Sequence, residues 1–443
     1  MSRGDESGLH FIIIGGSIAG LASAIALRAS GHNVLVLEQE RQLGGSDSVP
    51  SGVARVPPNG SKILFDWGLG PEVIENTIVS EGFMVYKYTG GHGPGLDCVG
   101  LNRWDPEFLT EARGDFRIFR HRDLLHILYD AAIRPPTPND ASKLSPKVTV
   151  LFGAEVVHID MDLCSVSLRS GDIHIGDAVI GADGAGGIVR QSLMREQLED
   201  PTATVDKYDL PTGLSVCSAN ISKVDGLTVP EFAKFYQSPH SNLGTVCVGS
   251  NRGALTSILG KSTELALSVY TPDCSDRGGW TRVADKKMSD VIGPCDIPFQ
   301  NLAAYAGPSV CIQIKDHHEL ESWVSESGRV VVLGDAAHPF PPAAMNCYAI
   351  ALEDEHRRDR CFRIRNADKH YITTLTLPDG EVQESRDALM RANQAAGRNV
   401  MDAPESSLQD IIDEMRMVFG YEPTDDADEW WMSWGRLRDA SEA

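Results

Sequence analysis

Apolar positions near the N-terminus fall in short runs separated by glycine. His10-Phe11-Ile12-Ile13-Ile14 is apolar on successive positions, the pattern of a parallel strand buried on both faces. Ile18 to Ser30 is rich in Ala, Leu and Ile and predicts a helix, with Gly31 placed to end it as a C-cap. Asn33-Val34-Leu35-Val36-Leu37 predicts a second buried strand, which completes one βαβ unit.

Further along, Gly90, Gly91, Gly93, Pro94 and Gly95 punctuate a loop-rich stretch within 85–115. Asp123 to Ala132 has helical spacing, with an Asp in its first turn. The stretch 148–168 reads as paired strands, because polar and apolar residues alternate around Val156–Ile159 and Ser165–Leu168. Asp177-Ala178-Val179-Ile180 leads into Gly181-Ala182-Asp183-Gly184, and Arg329 to Leu333 forms another buried run ending in Gly334-Asp335. Between them, 210–325 holds short β-like runs such as Leu214–Cys217 and Val310–Ile314, which predict a separate, mainly antiparallel layer. Beyond 355 the chain is strongly charged with few apolar runs, and no internal repeat is present.

Composition narrows the function classes. The 443 residues are 42% hydrophobic and 23% charged, ordinary for a globular protein with a sizeable core. A formal net charge of −22 repels phosphate backbones and anionic membranes, so neither nucleic acid nor a membrane is an expected partner. The nine cysteines stand singly, with no C-x-x-C pair and no Cys/His cluster at zinc spacing. That count suits a reducing compartment, and no metal is expected. His317-His318 has no spaced partner, and Trp430, Trp431 and Trp434 read as packing groups. Met1 to Gly8 is polar and acidic rather than signal-like, and no apolar run reaches spanning length. A soluble, cytoplasmic protein is expected.

The chemistry begins at Gly15-Gly16-Ser17-Ile18-Ala19-Gly20, between the first strand and the first helix, with Glu38 at the tip of the second strand. Gly15 permits the tight turn, and the small Ser17 lets the backbone approach a pyrophosphate. Gly20 lets helix and strand pack closely, and the helix N-terminus supplies N–H groups and positive dipole. Glu38 is placed to accept hydrogen bonds from the ribose hydroxyls of an adenosine, and it would repel a 2′-phosphate, which favours FAD or NAD over NADP.

Two later motifs resemble a family. Asp177–Arg190, D-A-V-I-G-A-D-G-A-G-G-I-V-R, is similar to the Asp-Gly motif of class A FAD-dependent aromatic monooxygenases. Gly328–Pro339, G-R-V-V-V-L-G-D-A-A-H-P, resembles their Gly-Asp motif. Val56-Pro57-Pro58-Asn59 with Leu64 and Trp67-Gly68-Leu69 matches the segment after the second strand. Leu377-Pro378-Asp379-Gly380, with Gln383 and Arg386-Asp387, resembles fungal salicylate-hydroxylase-like members. The resemblance implies an α/β fold: a discontinuous Rossmann-type FAD-binding domain with an inserted, mainly antiparallel β substrate domain. The implied FAD-binding parts are 1–80, 116–200 and 326–400. The substrate domain would take 81–115 and 201–325, and 401–443 would be a charged C-terminal extension.

The implied activity is NAD(P)H-dependent reduction of FAD and oxygen insertion into a small phenol- or salicylate-like substrate. The other readings are a different flavin oxidase or dehydrogenase, or a degenerate relative without efficient hydroxylation. Asp335 would bond the ribityl side of FAD. Asp183 and Gly184 would close the cofactor site and help receive NAD(P)H, and Arg190, the catalytic candidate, would lie near the flavin or the substrate groove. Gly52, His121 and Tyr348 complete the expected cofactor-binding set with Gly15, Ser17, Gly20 and Glu38.

This chain departs from the family pattern in three places. His121, between Arg120 and Arg122, stands where the family has an Arg to the FAD phosphates. Met345-Asn346-Cys347-Tyr348-Ala349 stands where it has Gly-Gln-Gly-x-Asn against the flavin ring. The helical stretch usual after Leu352-Glu353-Asp354-Glu355 is shortened. Replacing Glu38 by Ala is expected to weaken FAD binding at least tenfold, since charge-assisted hydrogen bonds contribute roughly 1.5–3 kcal/mol each. Fluorescence titration of the apoprotein with FAD measures this, and an unchanged Kd refutes the ribose assignment.

Overall fold

The computed structural model describes residues 8–89, 96–134, 146–236, 242–259, 264–273, 282–284, 286–353, 358–402, 408–423, 425, 428 and 431–435. The N-terminal unit forms where the apolar pattern places it: strand His10–Ile14, helix Ile18–Ala29 and strand Asn33–Glu38. Gly31 follows the helix at φ +95°, a conformation that Gly adopts without the Cβ penalty. Five parallel strands make the central sheet, in the order Val330–Val332, Ala178–Gly181, His10–Ile14, Asn33–Glu38, Val148–Phe152. Their apolar runs are buried on both faces: Ile13 and Val36 pack on the helix Ile18–Ala29, and Ile12 and Val179 on the other side.

The stretch 148–168 divides differently from the expected pairing. Val148–Phe152 joins the parallel sheet beside Asn33–Glu38, while Val156–Asp160 pairs antiparallel with Ser165–Leu168. Ser165–Leu168 carries the period-two alternation, while Val157 and His158 of its partner are both exposed. The second large layer is a seven-stranded sheet of Ser309–Asp316, Leu210–Ser222, Glu264–Pro272, Arg252–Leu259, Leu243–Gly249, Gly82–Lys87 and Cys98–Arg103, in that order. All its pairs are antiparallel except Leu243–Gly249 with Gly82–Lys87, which is parallel. A small sheet, Val53–Val56 with Arg117–Arg120 and Thr77–Val79, lies between the two large ones. Val53 and Ile118 of this sheet pack directly on Leu259 and Ala266 of the seven-stranded sheet.

The charged C-terminal stretch folds into helices, Arg358–Leu375, Glu381–Ala395 and Leu408–Phe419. Their apolar period is hidden because charged residues occupy inward positions: Arg360, Arg365 and Asp368 are buried beside Cys361, Ile364 and Ile372. Arg360 donates to Glu353 at 2.7 Å and stacks over the Tyr421 ring at 4.0 Å. Asn59 of the Pro-Pro-Asn segment donates to the same carboxylate at 2.6 Å. The lone cysteines also hold a surprise: Cys217 and Cys311 are disulfide-bonded between neighbouring strands, Cα atoms 4.1 Å apart and 94 residues apart in sequence. Trp431 is exposed rather than packed; the side chains of Trp430 and Trp434, and Gly90–Gly95, lie outside the described residues. No helix among the described residues is long and apolar enough to cross a membrane.

The Glu353 carboxylate, 0% exposed, ties the Arg358–Leu375 helix to the Pro58–Asp66 helix. Glu353→Ala removes a carboxylate paired at 2.7 Å with the buried Arg360 guanidinium and is expected to cost about 3 kcal/mol, the lower end of the range for a broken buried pair. Arg360 keeps the Val418 carbonyl at 3.0 Å and the Tyr421 ring, which limits the loss. Urea unfolding of the variant, with Glu353→Gln as the milder control, measures it; equal midpoints for Glu353→Ala and the parent refute the account.

Candidate functional site

Three motif turns meet at the carboxyl ends of adjacent parallel strands. Gly15 takes φ +104°, and a Cβ there would sit 2.3 Å from the Ala182 carbonyl oxygen of the next strand's turn. A Cβ on Gly20 would sit 2.0 Å from the Gly15 carbonyl, so helix and turn approach at a distance only glycine allows. Ser17 is the extended N-cap of the Ile18–Ala29 helix, exposed, with no side-chain cap bond and no acid in the first turn. The helix N-terminus therefore keeps its donors and positive end for an external anion. Glu38 accepts from the Gly16 N–H and the Glu40 N–H, both at 2.8 Å, one on each oxygen. Each oxygen retains a lone pair for a ribose hydroxyl.

Asp183 lies one turn away. Its Oδ2 accepts from the Val189 N–H at 3.0 Å, while its Oδ1 is buried with no partner among the described residues. Burial raises this carboxyl to about 6. Asp335 ends the edge strand, where its Oδ1 accepts from the Phe340 N–H at 3.3 Å. It lies deep among protein atoms, which raises its carboxyl, yet its side chain stays solvent-accessible.

Arg190 does not share that exposure. It is 0% exposed, and its guanidinium donates to the carbonyls of Ala336 at 2.8 Å, Ala337 and His318. These contacts are those of a positioning group that braces the Asp335 turn from behind, where the sequence reading expected a group near the flavin or the substrate groove. His317 is likewise structural, with Nδ1 2.5 Å from the buried Asp209.

His121 and Tyr348 form a pair, Nδ1 to hydroxyl 3.0 Å, and the Tyr348 hydroxyl also reaches the Val53 carbonyl at 3.3 Å. Burial, then the neighbouring Arg122, lowers His121 to about 4, so the imidazole is neutral near pH 7 and supplies no positive charge there. The flanking arginines are both engaged, Arg120 with Glu264 and Arg122 with Asp47. Gly52, at φ +70°, accepts from the His121 N–H at 3.3 Å and so shapes the same corner. In the altered turn, Cys347 bonds the Ala344 carbonyl, and Asn346 donates to Asp368 through both its N–H, 3.2 Å, and its side chain, 2.9 Å.

Beside that turn lies a cavity of about 70 Å3, floored by the seven-stranded sheet and walled by Phe83, Trp104, Phe116, Tyr270 and Tyr371. Ala343 to Met345 close one side. The sequence reading missed its polar residues, Arg55 and Asp368. Arg55 stands just ahead of the Pro-Pro-Asn segment, and Asp368 is one acid in a charged helical stretch, so neither carried a signal. For the cofactor, the glycine cradle, the uncapped helix N-terminus, the unpaired Asp183 oxygen and the accessible Asp335 together fit FAD.

Comparison with known proteins agrees with this geometry. The profile of a family described as an NAD(P)-binding Rossmann-like domain matches residues 13–71. An FAD-dependent monooxygenase of an Arthrinium species is 26% identical over 425 residues, 88% of this chain and 90% of its own length. The hispidin-3-hydroxylase of Neonothopanus nambi is 26% identical over 358 residues, 79% of each chain. A solved salicylate hydroxylase substrate complex superposes with a TM-score of 0.66 at 15% identity, covering 96% of this chain and 98% of that one. Motif register, likeness along most of the chain and a shared fold thus support a class A flavin monooxygenase.

Proposed function

We propose that this monooxygenase uses NADH or NADPH and dioxygen to hydroxylate a small aromatic molecule of the phenol or salicylate type. The observation that carries the reading is the aromatic-walled cavity closed on one side by Ala343, Ala344 and Met345 of the altered turn. Offset or edge-on contacts with Phe83, Trp104, Phe116 and the two tyrosines favour a flat ring over an aliphatic chain of similar volume. Bound FAD, once reduced, would supply the activation of dioxygen. The chain's own part is to hold the ring, exclude water and fix the turn between ring and cofactor. Glu38, the helix N-terminus at Ser17 and Asp335 would bind the cofactor; Asp183 would order the N-terminus of the following helix; Arg190 would hold the Asp335 turn in place.

The turn also favours a second reading, that coupling is imperfect. With the Asn346 N–H already donated to Asp368 and side chains at 345 and 347, fewer backbone donors remain for the pyrimidine edge of a reduced, anionic flavin. Two measurements test the pair of readings. Under labelled dioxygen, one labelled atom is expected in the product of a hydroxyarene that stimulates NAD(P)H oxidation; label confined to water or peroxide across a broad aromatic panel overturns hydroxylation. Peroxide formed per NAD(P)H consumed is expected to be a measurable fraction, and to fall in Met345→Gly/Cys347→Gly. Full FAD occupancy with no peroxide in the parent shows the substituted turn to be harmless.

A further inference from the structure

The polar groups of the cavity divide by kind. Arg55 enters from the strand Val53–Val56; its Nη1 donates to the Ala343 carbonyl at 3.4 Å, and its Nη2 is buried with no partner among the described residues. The indole N–H of Trp104 is also buried, again with no partner among the described residues. Against these donors stands Asp368, 6% exposed, on the helix Arg358–Leu375. It has no ion pair among the described residues; both oxygens accept only from Asn346. A carboxylate offers about four acceptor positions, so roughly two remain on the cavity side. The two Asn346 bonds fall on separate oxygens, as a carboxylate allows. A buried carboxyl without a cation is costly, so its remaining lone pairs call for a donor on the cavity side.

Building on the proposed aromatic substrate, we infer that Asp368 recognises a ring hydroxyl by accepting its hydrogen bond, while the free Nη2 of Arg55 donates to a second oxygen on the same molecule. The ligand class is a hydroxyarene carrying a carbonyl or carboxylate oxygen. An apolar ring would leave Arg55 unsatisfied and Asp368 desolvated without return, so the cavity selects against it.

Acidity gives the arrangement a signature. Burial raises Asp368 to about 7, opposed by its two bonds from Asn346. Facing it are Arg55 from the small sheet, Tyr270 from the strand Glu264–Pro272, Cys347 from the preceding helix and Tyr371 from its own helix. Burial pushes both tyrosines and the thiol upward, so they keep their protons near neutrality. The carboxylate form is the acceptor, and for an acid that form is present above its pKa. Hydroxyl recognition is therefore full above about pH 7 and fades as pH falls through it.

The test is a binding measurement on the FAD-loaded protein by calorimetry, using 3-hydroxyacetophenone against acetophenone and 3-hydroxybenzoate against benzoate, from pH 5.5 to 8.5. At the alkaline end the hydroxy member of at least one pair is expected to bind about tenfold more tightly, with the advantage shrinking below pH 7. Asp368→Asn abolishes both the advantage and its pH dependence. Arg55→Met weakens both members of that pair alike, and the better pair tells a carbonyl from a carboxylate. Equal binding within each pair, a preference that persists in Asp368→Asn, or no hydroxyarene bound at millimolar concentration overturns the inference. Should that variant not fold, the pH dependence of the parent decides alone. Failure to bind FAD overturns the proposed function instead, and the same pairs run on the FAD-free protein still decide the role of Asp368.

Discussion

Two backbones meet where no side chain fits. The Gly15 carbonyl lies so close to Gly20 that one added carbon on Gly20 would fall 2.0 Å from it, and Gly15 itself abuts the Ala182 carbonyl. From that contact the helix Ile18–Ala29 takes its angle to the sheet, and its N-terminus is aimed along the strand ends. The same packing brings Ala19 against Gly334, where a Cβ would lie 2.8 Å away. The turns that carry Asp183 and Asp335 are thus referenced to one short stretch of chain. Broadening any of these glycines moves several cofactor contacts together, which is why the site behaves as a unit.

The parts of this arrangement visible in the sequence are those set by local rules. A run of Ile12-Ile13-Ile14 followed by Gly15 reads as strand and turn because burial on both faces leaves no alternation to interpret. Gly31 and the acid at 38 follow from backbone geometry and charge alone. The helix Arg358–Leu375 stayed hidden because Arg360, Arg365 and Asp368 point inward, and a charged residue at a core position breaks the period that identifies an amphipathic helix. What makes those positions tolerable is Glu353 and Glu319 for the arginines and Asn346 for the acid, partners that are distant or in other elements. The disulfide between Cys217 and Cys311 is of the same kind: it rests on a strand register that no spacing rule encodes.

Site residues followed the same division. Glycines and acids at strand ends were legible because the turn itself demands them. Arg190 was legible as a motif member but not in its role, since only the packing shows that its guanidinium serves three carbonyls behind the turn. The cavity was illegible altogether. Its walls come from strands and helices that lie far apart in sequence, from Arg55 to Ile372, and each contributes only a few side chains.

The order of the strands has a consequence for how the protein is made. Val330–Val332 is the last strand of the parallel sheet in sequence, yet it pairs with Ala178–Gly181, already synthesised some 150 residues earlier. Gly82–Lys87 waits similarly for Leu243–Gly249 before its parallel edge is covered. On the ribosome, both sheets therefore spend a long interval with an open apolar edge, and neither closes until most of the chain has emerged. Truncation during synthesis leaves not a smaller flavoprotein but two unfinished sheets with unpaired strands, the kind of surface that chaperones hold and that aggregates recruit.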